Sequence, residues 1–219
     1  MKLVGALSSP YTRRVAISLS ELGVPFEHES VSVFAELNKF RGINPVVRAL
    51  TVFLDDGAMV MESNVIIEYC ERTAGERSLW PRDEFARRRG TALLGLALTA
   101  CDKAVQLVYE RELRPAEKQF KDWQDRVSAQ VAAACELLEQ QVGAASLWLS
   151  RDRLTQAGIA LAVVCTFMQF RVPDVLARCT LPKLFAFRDE AEALPVFRRL
   201  PFPAVPAAPA STATFTLWS

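Results

Sequence analysis

Two serines stand where a helix should begin, and both could do chemistry. Ser8-Ser9-Pro10 separates strand-like Leu3–Leu7 from a helical pattern, and Glu62-Ser63 precedes Val65, Ile66, Ile67 and Tyr69. A helix N-terminus carries free N–H groups and a partial positive charge. A serine at that place either caps the helix or joins those groups in holding an anion. Ser9 beside Pro10 also reads as an ordinary cap, and Glu62-Ser63 as a capped helix with an exposed glutamate. Other chemistry is poorly provided for. The one histidine is His28, and the five cysteines (Cys70, Cys101, Cys135, Cys165 and Cys179) form no C-x-x-C pair. They read as reduced packing thiols, and no metal is expected.

The elements that must position these residues follow from periodicity. Pro10 opens a helix with apolar residues at Val15, Leu19 and Leu22, and Gly23 suits its end. Pro25–Val33 and Leu50–Leu54 read as further strands, and Asp55-Asp56-Gly57 turns the latter into Ala58–Met61. Ser63 is expected to cap the next helix. The order is β-α-β, a connection, then β-β-α, the pattern of a small α/β domain over residues 1–77. Residues 78–85 read as a linker. Strand signals then stop: residues 86–200 carry helical patterns over Ala86–Arg111, Lys118–Val142 and Gln156–Phe170, with shorter pieces near Pro173 and Leu181. Thr155 can cap the third, whose middle is apolar on almost every face and should be surrounded by protein. Residues 201–219, rich in proline and alanine, are expected to be extended or disordered.

A formal net charge of +1 gives no electrostatic case for nucleic acid or an anionic membrane. Arg87-Arg88-Arg89 reads as a solvated helix face. With 51% apolar residues a substantial core can form. No signal-peptide pattern and no stretch long enough to cross a membrane are expected, so the chain reads as cytoplasmic.

Three segments together resemble the glutathione S-transferase superfamily: Ser8-Ser9-Pro10-Tyr11-Thr12-Arg13-Arg14-Val15, Asn44-Pro45-Val46-Val47-Arg48-Ala49-Leu50, and Asp56-Gly57 followed by Met61 to Tyr69. Arg114-Pro115-Ala116, Gln169-Phe170 and Ala193-Leu194-Pro195 are similar to the serine-type bacterial branches, YibF-like or stringent-starvation-like. The resemblance implies a thioredoxin-like domain followed by a helical bundle, glutathione as co-substrate and a homodimer. It implies that Ser63 and the N–H groups behind it hold the γ-glutamyl carboxylate, and that Glu62 pairs with the ammonium. The Ala49 backbone would meet the cysteinyl part and Arg48 the glycyl carboxylate. Ser9 would donate a hydrogen bond to the thiolate, with Ser8 and Tyr11 as alternatives. Leu98, Tyr109 and Phe120 are candidates for the wall around a small apolar electrophile. The implied activity is conjugation. A glutathione-dependent reductase or isomerase would use the same site, and a non-catalytic binding protein would keep the fold alone.

Two departures stand out. The family has a proline after a cis bond where this chain has Leu50. A cis bond costs roughly 0.5–1 kcal/mol before proline and roughly 3–4 before another residue. Either the cis bond persists under strain, or it turns trans, the loop shifts and glutathione is held less well. In the helical domain the family's capping aspartate is replaced by Gly158, which is expected to weaken the start of that helix by about 1–2 kcal/mol.

Overall fold

The computed structural model describes residues 1–143, 147–150 and 152–203. Alternation along the short strands explains the N-terminal architecture. β1 (Lys2–Val4) lies between β2 (Glu27–Glu29), to which it is parallel, and β3 (Thr51–Phe53), to which it is antiparallel; β4 (Met59–Met61) closes the edge. Leu3 faces Val52 across the ladder. Both enter the main core, whereas their neighbours Val4 and Phe53 enter a smaller cluster around Phe40 on the opposite face. The period of two thus gives the sheet two apolar faces.

α1 (Pro10–Leu22) and α3 (Ser63–Glu71) pack beside one another. α2 (Leu37–Ile43) covers the other face through Phe40. α2 falls where the sequence suggested only a connection, because its seven residues are too few to display a helical period. β2 is shorter than the expected Pro25–Val33 strand, since only Glu27–Glu29 find a partner in β1.

α4 (Glu84–Leu113), capped by Asp83, and α5 (Lys121–Val142) form an antiparallel pair, joined by a turn around Pro115. A small hairpin of β5 (Trp148–Ser150) and β6 (Arg153–Leu154), unforeseen in the sequence, leads into α6 (Gln156–Arg171). α6 is buried without interruption from Gln156 to Met168, as its all-round apolar sequence implies. α7 (Pro173–Leu176), α8 (Pro182–Glu192) and α9 (Pro195–Arg199) wrap its far end. The expected tail lies outside the described residues from position 204 onward.

Two expectations are corrected. α4 is long and apolar enough to cross a membrane, by length and composition alone. Its buried residues, among them Leu93, Ala97, Ala104 and Leu107, pack against α5 and α6, so one apolar face of the helix is used within the protein. Gly158 is not a defect of α6. Thr155 caps the helix by accepting from the Gly158 N–H at 3.1 Å, and its own hydroxyl donates to the Leu147 carbonyl at 3.1 Å. A Cβ on Gly158 would lie 2.5 Å from that same carbonyl oxygen. The glycine makes room for the backbone that the cap binds.

Polar contacts join the α/β and helical parts. The Glu71 carboxylate, at the end of α3, accepts from Ser78 Oγ at 2.7 Å and from Gln156 Nε2 at 2.8 Å, and Gln156 Oε1 accepts from Ser18 Oγ at 3.1 Å. Arg13 on α1 makes a two-pronged contact with Glu192 on α8, at 2.6 and 2.7 Å, and donates to the Leu200 carbonyl at 2.8 Å.

Candidate functional site

A cleft of about 270 Å³ opens where the start of α1, the loop before β3 and the start of α3 meet the middle of α4. Ser9 precedes α1 with extended backbone, so its carbonyl accepts the first helical N–H, from Arg13. Its Oγ accepts from the Thr12 N–H at 3.4 Å, a long bond that leaves the hydroxyl proton free to donate. Ser8 and Tyr11 also line the cleft. Burial, then the neighbouring Cys101, holds the Tyr11 phenol well above its ordinary pKa, so it stays protonated; burial pushes the Cys101 thiol up to about 12.

The loop before β3 is fixed by short side chains. Asn44 is buried; its Oδ1 accepts from the Val46 N–H at 2.9 Å, and its Nδ2 donates to Thr51 Oγ1 at 2.8 Å. Thr51 Oγ1 donates in turn to the Arg48 carbonyl at 3.2 Å. Val47 adopts φ 55°, an unfavourable conformation for a β-branched residue. No cis peptide bond occurs among the described residues, so Ala49–Leu50 is trans, the second of the two outcomes posed by the missing proline. The Ala49 carbonyl accepts from Thr12 Oγ1 at 3.3 Å and sits so close to Gly5 that a Cβ there would be 2.4 Å away. That carbonyl faces the α1 end of the protein with a partner of its own.

Ser63 is the first residue of α3 rather than its cap. The cap position belongs to Glu62, which has φ 72° and makes no side-chain capping bond. Ser63 is buried, and its Oγ accepts from the Arg14 guanidinium at 3.2 Å; the same nitrogen donates to Asn64 Oδ1 at 2.8 Å. The Ser63 hydroxyl proton therefore remains available to an acceptor in the cleft. Arg14 is 2% exposed, its Nε has no partner, and its hydrogen-bond partners among the described residues are the neutral Ser63 and Asn64 and no carboxylate. Burial lowers its pKa to about 10, which leaves it charged at neutral pH. A buried cation behind an uncapped helix N-terminus makes this end of the cleft attractive to an anion. Arg48 and Glu62 sit at the rim as an ion pair of 2.5 Å.

The opposite wall comes from α4, through Asp102, Val105, Gln106 and Tyr109, with Phe34 and Phe167 adding to it. Phe34 and Tyr109 meet edge to face across the mouth, with ring centroids 5.5 Å apart. Tyr109 is thus at the cleft, and two other wall candidates are not. Leu98 belongs to the same stripe of α4 one turn before Asp102, beyond the residues that line the cleft. Phe120 is 60% exposed in the α4–α5 turn, where its N–H donates to Glu110 Oε1 at 2.8 Å. Arg14 and Phe34 were missed in the sequence. An arginine inside the apolar stretch of α1 was the available signal for the first; Phe34 lies just past the Pro25–Val33 strand, in a stretch assigned to no element.

Residues 3–78 match the family described as glutathione S-transferase, N-terminal domain. The chain is 28% identical over 171 residues to an uncharacterized GST-like protein, YibF, of Escherichia coli K12, covering 78% of this chain and 83% of that one. It is 29% identical to glutathione S-transferase U6 of Arabidopsis thaliana over 96 residues, only 43% of the plant protein. Among solved structures it resembles a glutathione S-transferase of Methylobacterium radiotolerans in complex with glutathione sulfonate (26% identity, TM-score 0.79, covering 96% of this chain and 99% of that one). A glutathione transferase family member of Pseudomonas fluorescens Pf-5, with S-(propanoic acid)-glutathione bound, is similar at 27% identity and TM-score 0.78, covering 93% and 100%.

Proposed function

The chain belongs to the glutathione S-transferase superfamily, and from that membership we propose that it is a glutathione transferase acting on a small apolar electrophile. The observation that carries this reading is convergence: Ser9, Arg48, Ala49, Glu62 and Ser63, drawn from three separate segments, line one cleft. Ser63 and the start of α3 receive the γ-glutamyl carboxylate, backed by Arg14. Glu62 takes the ammonium and Arg48 the glycyl carboxylate. Ser9 donates its free O–H to the sulfur and favours the thiolate over the thiol. The thiolate then attacks the electrophilic carbon; the new S–C bond forms as the leaving group departs or as the electron pair moves into the acceptor. Val105, Phe34 and Tyr109 offer the electrophile its apolar surface. Glutathione binding by calorimetry, together with conjugation of an aryl halide, tests the proposal. Binding without conjugation of any electrophile class would sink the transferase reading.

A second reading has one observation in its favour. The Ala49 carbonyl already has Thr12 as its partner and follows a trans path into Leu50, so strand-like pairing with the cysteinyl part is weakened. A binding protein without turnover would retain the γ-glutamyl end and place the sulfur poorly. It is distinguished by retention on immobilised glutathione with no detectable product. The proposed setting is a cytoplasmic homodimer. Val65 and Tyr69 stand about half exposed on α3 and would suit a partner surface; light scattering reads the mass.

A further inference from the structure

Arg48 and Glu62 come from different segments, yet they meet at 2.5 Å at the rim of the cleft. The backbone brings them there at some strain. The non-glycine residues with positive φ among the described residues are Val47, immediately before Arg48, and Glu62 itself. Such conformations persist where surrounding structure over-determines them. Here the surroundings are the Asn44 and Thr51 hydrogen bonds on one side and the start of α3 on the other. The pairing is therefore built into the loop geometry, beyond what two flexible side chains would achieve by meeting at a surface.

We propose that this ion pair is a latch that selects for the whole tripeptide. The inference rests on the glutathione reading above, in which Arg48 and Glu62 have separate partners at opposite ends of the ligand. Without ligand the two groups satisfy one another. Glutathione brings an ammonium for Glu62 and a terminal carboxylate for Arg48, so it exchanges one ion pair for two. A γ-glutamyl compound without the terminal carboxylate must separate the same pair and leaves Arg48 with water alone. The latch thus penalises partial ligands and leaves the complete one little affected. Both side chains are about half exposed, at 51% and 55%, so solvent screens the pair and the penalty is modest.

The test is calorimetric titration of the full chain with glutathione and with glutathione amide, in which the glycyl carboxylate is replaced by a neutral carboxamide. The variants are Arg48→Gln and Arg48→Lys. Removing the latch with Arg48→Gln should tighten glutathione amide by about two- to fivefold, the range for an exposed pair, and should bring no gain for glutathione. Arg48→Lys keeps a cation opposite Glu62 and should not tighten the partial ligand. If the wild type binds glutathione and Arg48→Gln leaves glutathione amide unchanged or weaker, the latch is wrong and the glutathione reading stands. If the wild type binds neither peptide, the glutathione reading fails and the latch with it.

Discussion

In the reading proposed above, Ser9, Ser63 and Arg14 share the site's chemistry, and each keeps one hydrogen-bond donor unspent. Ser9 spends its lone pair on Thr12 and keeps its proton. Removing that proton donor should act on the thiolate and hardly on the rest of the ligand. Ser9→Ala is therefore expected to lower turnover about 10- to 100-fold, the worth of a hydrogen bond to a charged group at ~1.5–3 kcal/mol. Glutathione affinity should move by less than about threefold. Steady-state kinetics beside calorimetry separates the two; equal turnover in the variant would make Ser9 a cap only. Arg14 acts from behind Ser63. Arg14→Met keeps much of the stem's bulk and removes the buried charge, whose desolvation is itself unfavourable. We expect the melting temperature to hold or rise while glutathione binding weakens about tenfold. A binding loss no larger than twofold would mean that the α3 N-terminus holds the carboxylate unaided.

At the scale of elements, α6 offers a sharp test. Its first turn lacks the family's aspartate, and the sequence alone makes this look like a loss to be repaired. The packing says otherwise, because Gly158 faces the Leu147 carbonyl that Thr155 binds. Gly158→Ala should lower stability by about 1–3 kcal/mol, in the range for an overpacked core position, despite alanine's better helix propensity. Thermal or chemical unfolding checks the sign, and a stabilised variant would overturn this account of the cap. α2 teaches a related lesson. Its seven residues are held as a helix by Phe40 under the sheet. That contact is tertiary, so the local sequence signal was too weak to announce it.

For the whole molecule, the critical joint is α1, which carries Ser9 at one end and reaches the C-terminal helices through Arg13. The Arg13 side chain is fully buried, lies 5.3 Å from the Phe197 ring and is matched by Glu192, whose carboxylate also accepts from Thr166 at 2.6 Å. Glu192→Ala would leave the guanidinium without its counter-charge. We expect a loss of about 3 kcal/mol, the lower end for breaking a buried pair because Glu192 is itself a quarter exposed. Catalysis should suffer less than stability, provided it is assayed well below the melting point. An unchanged unfolding midpoint would show that apolar packing alone joins the two parts.

The Ser-Ser-Pro opening of α1 and the Glu-Ser opening of α3 were legible at once, because helix starts and turn residues are written locally. So were the long helices, the central burial of α6 and the α/β-then-α order, all of which follow from hydrophobic period. Only tertiary structure decided that Ser63 opens α3 with its oxygen on Arg14, that Ala49–Leu50 is trans with its carbonyl on Thr12, and that Gly158 is a fit rather than a flaw. It also decided which of three candidate wall residues, Leu98, Tyr109 and Phe120, reaches the cleft. Each of these depends on a contact between segments distant in sequence. Periodicity reports which face of an element is apolar; it does not report which other element that face, or a buried arginine within it, will meet.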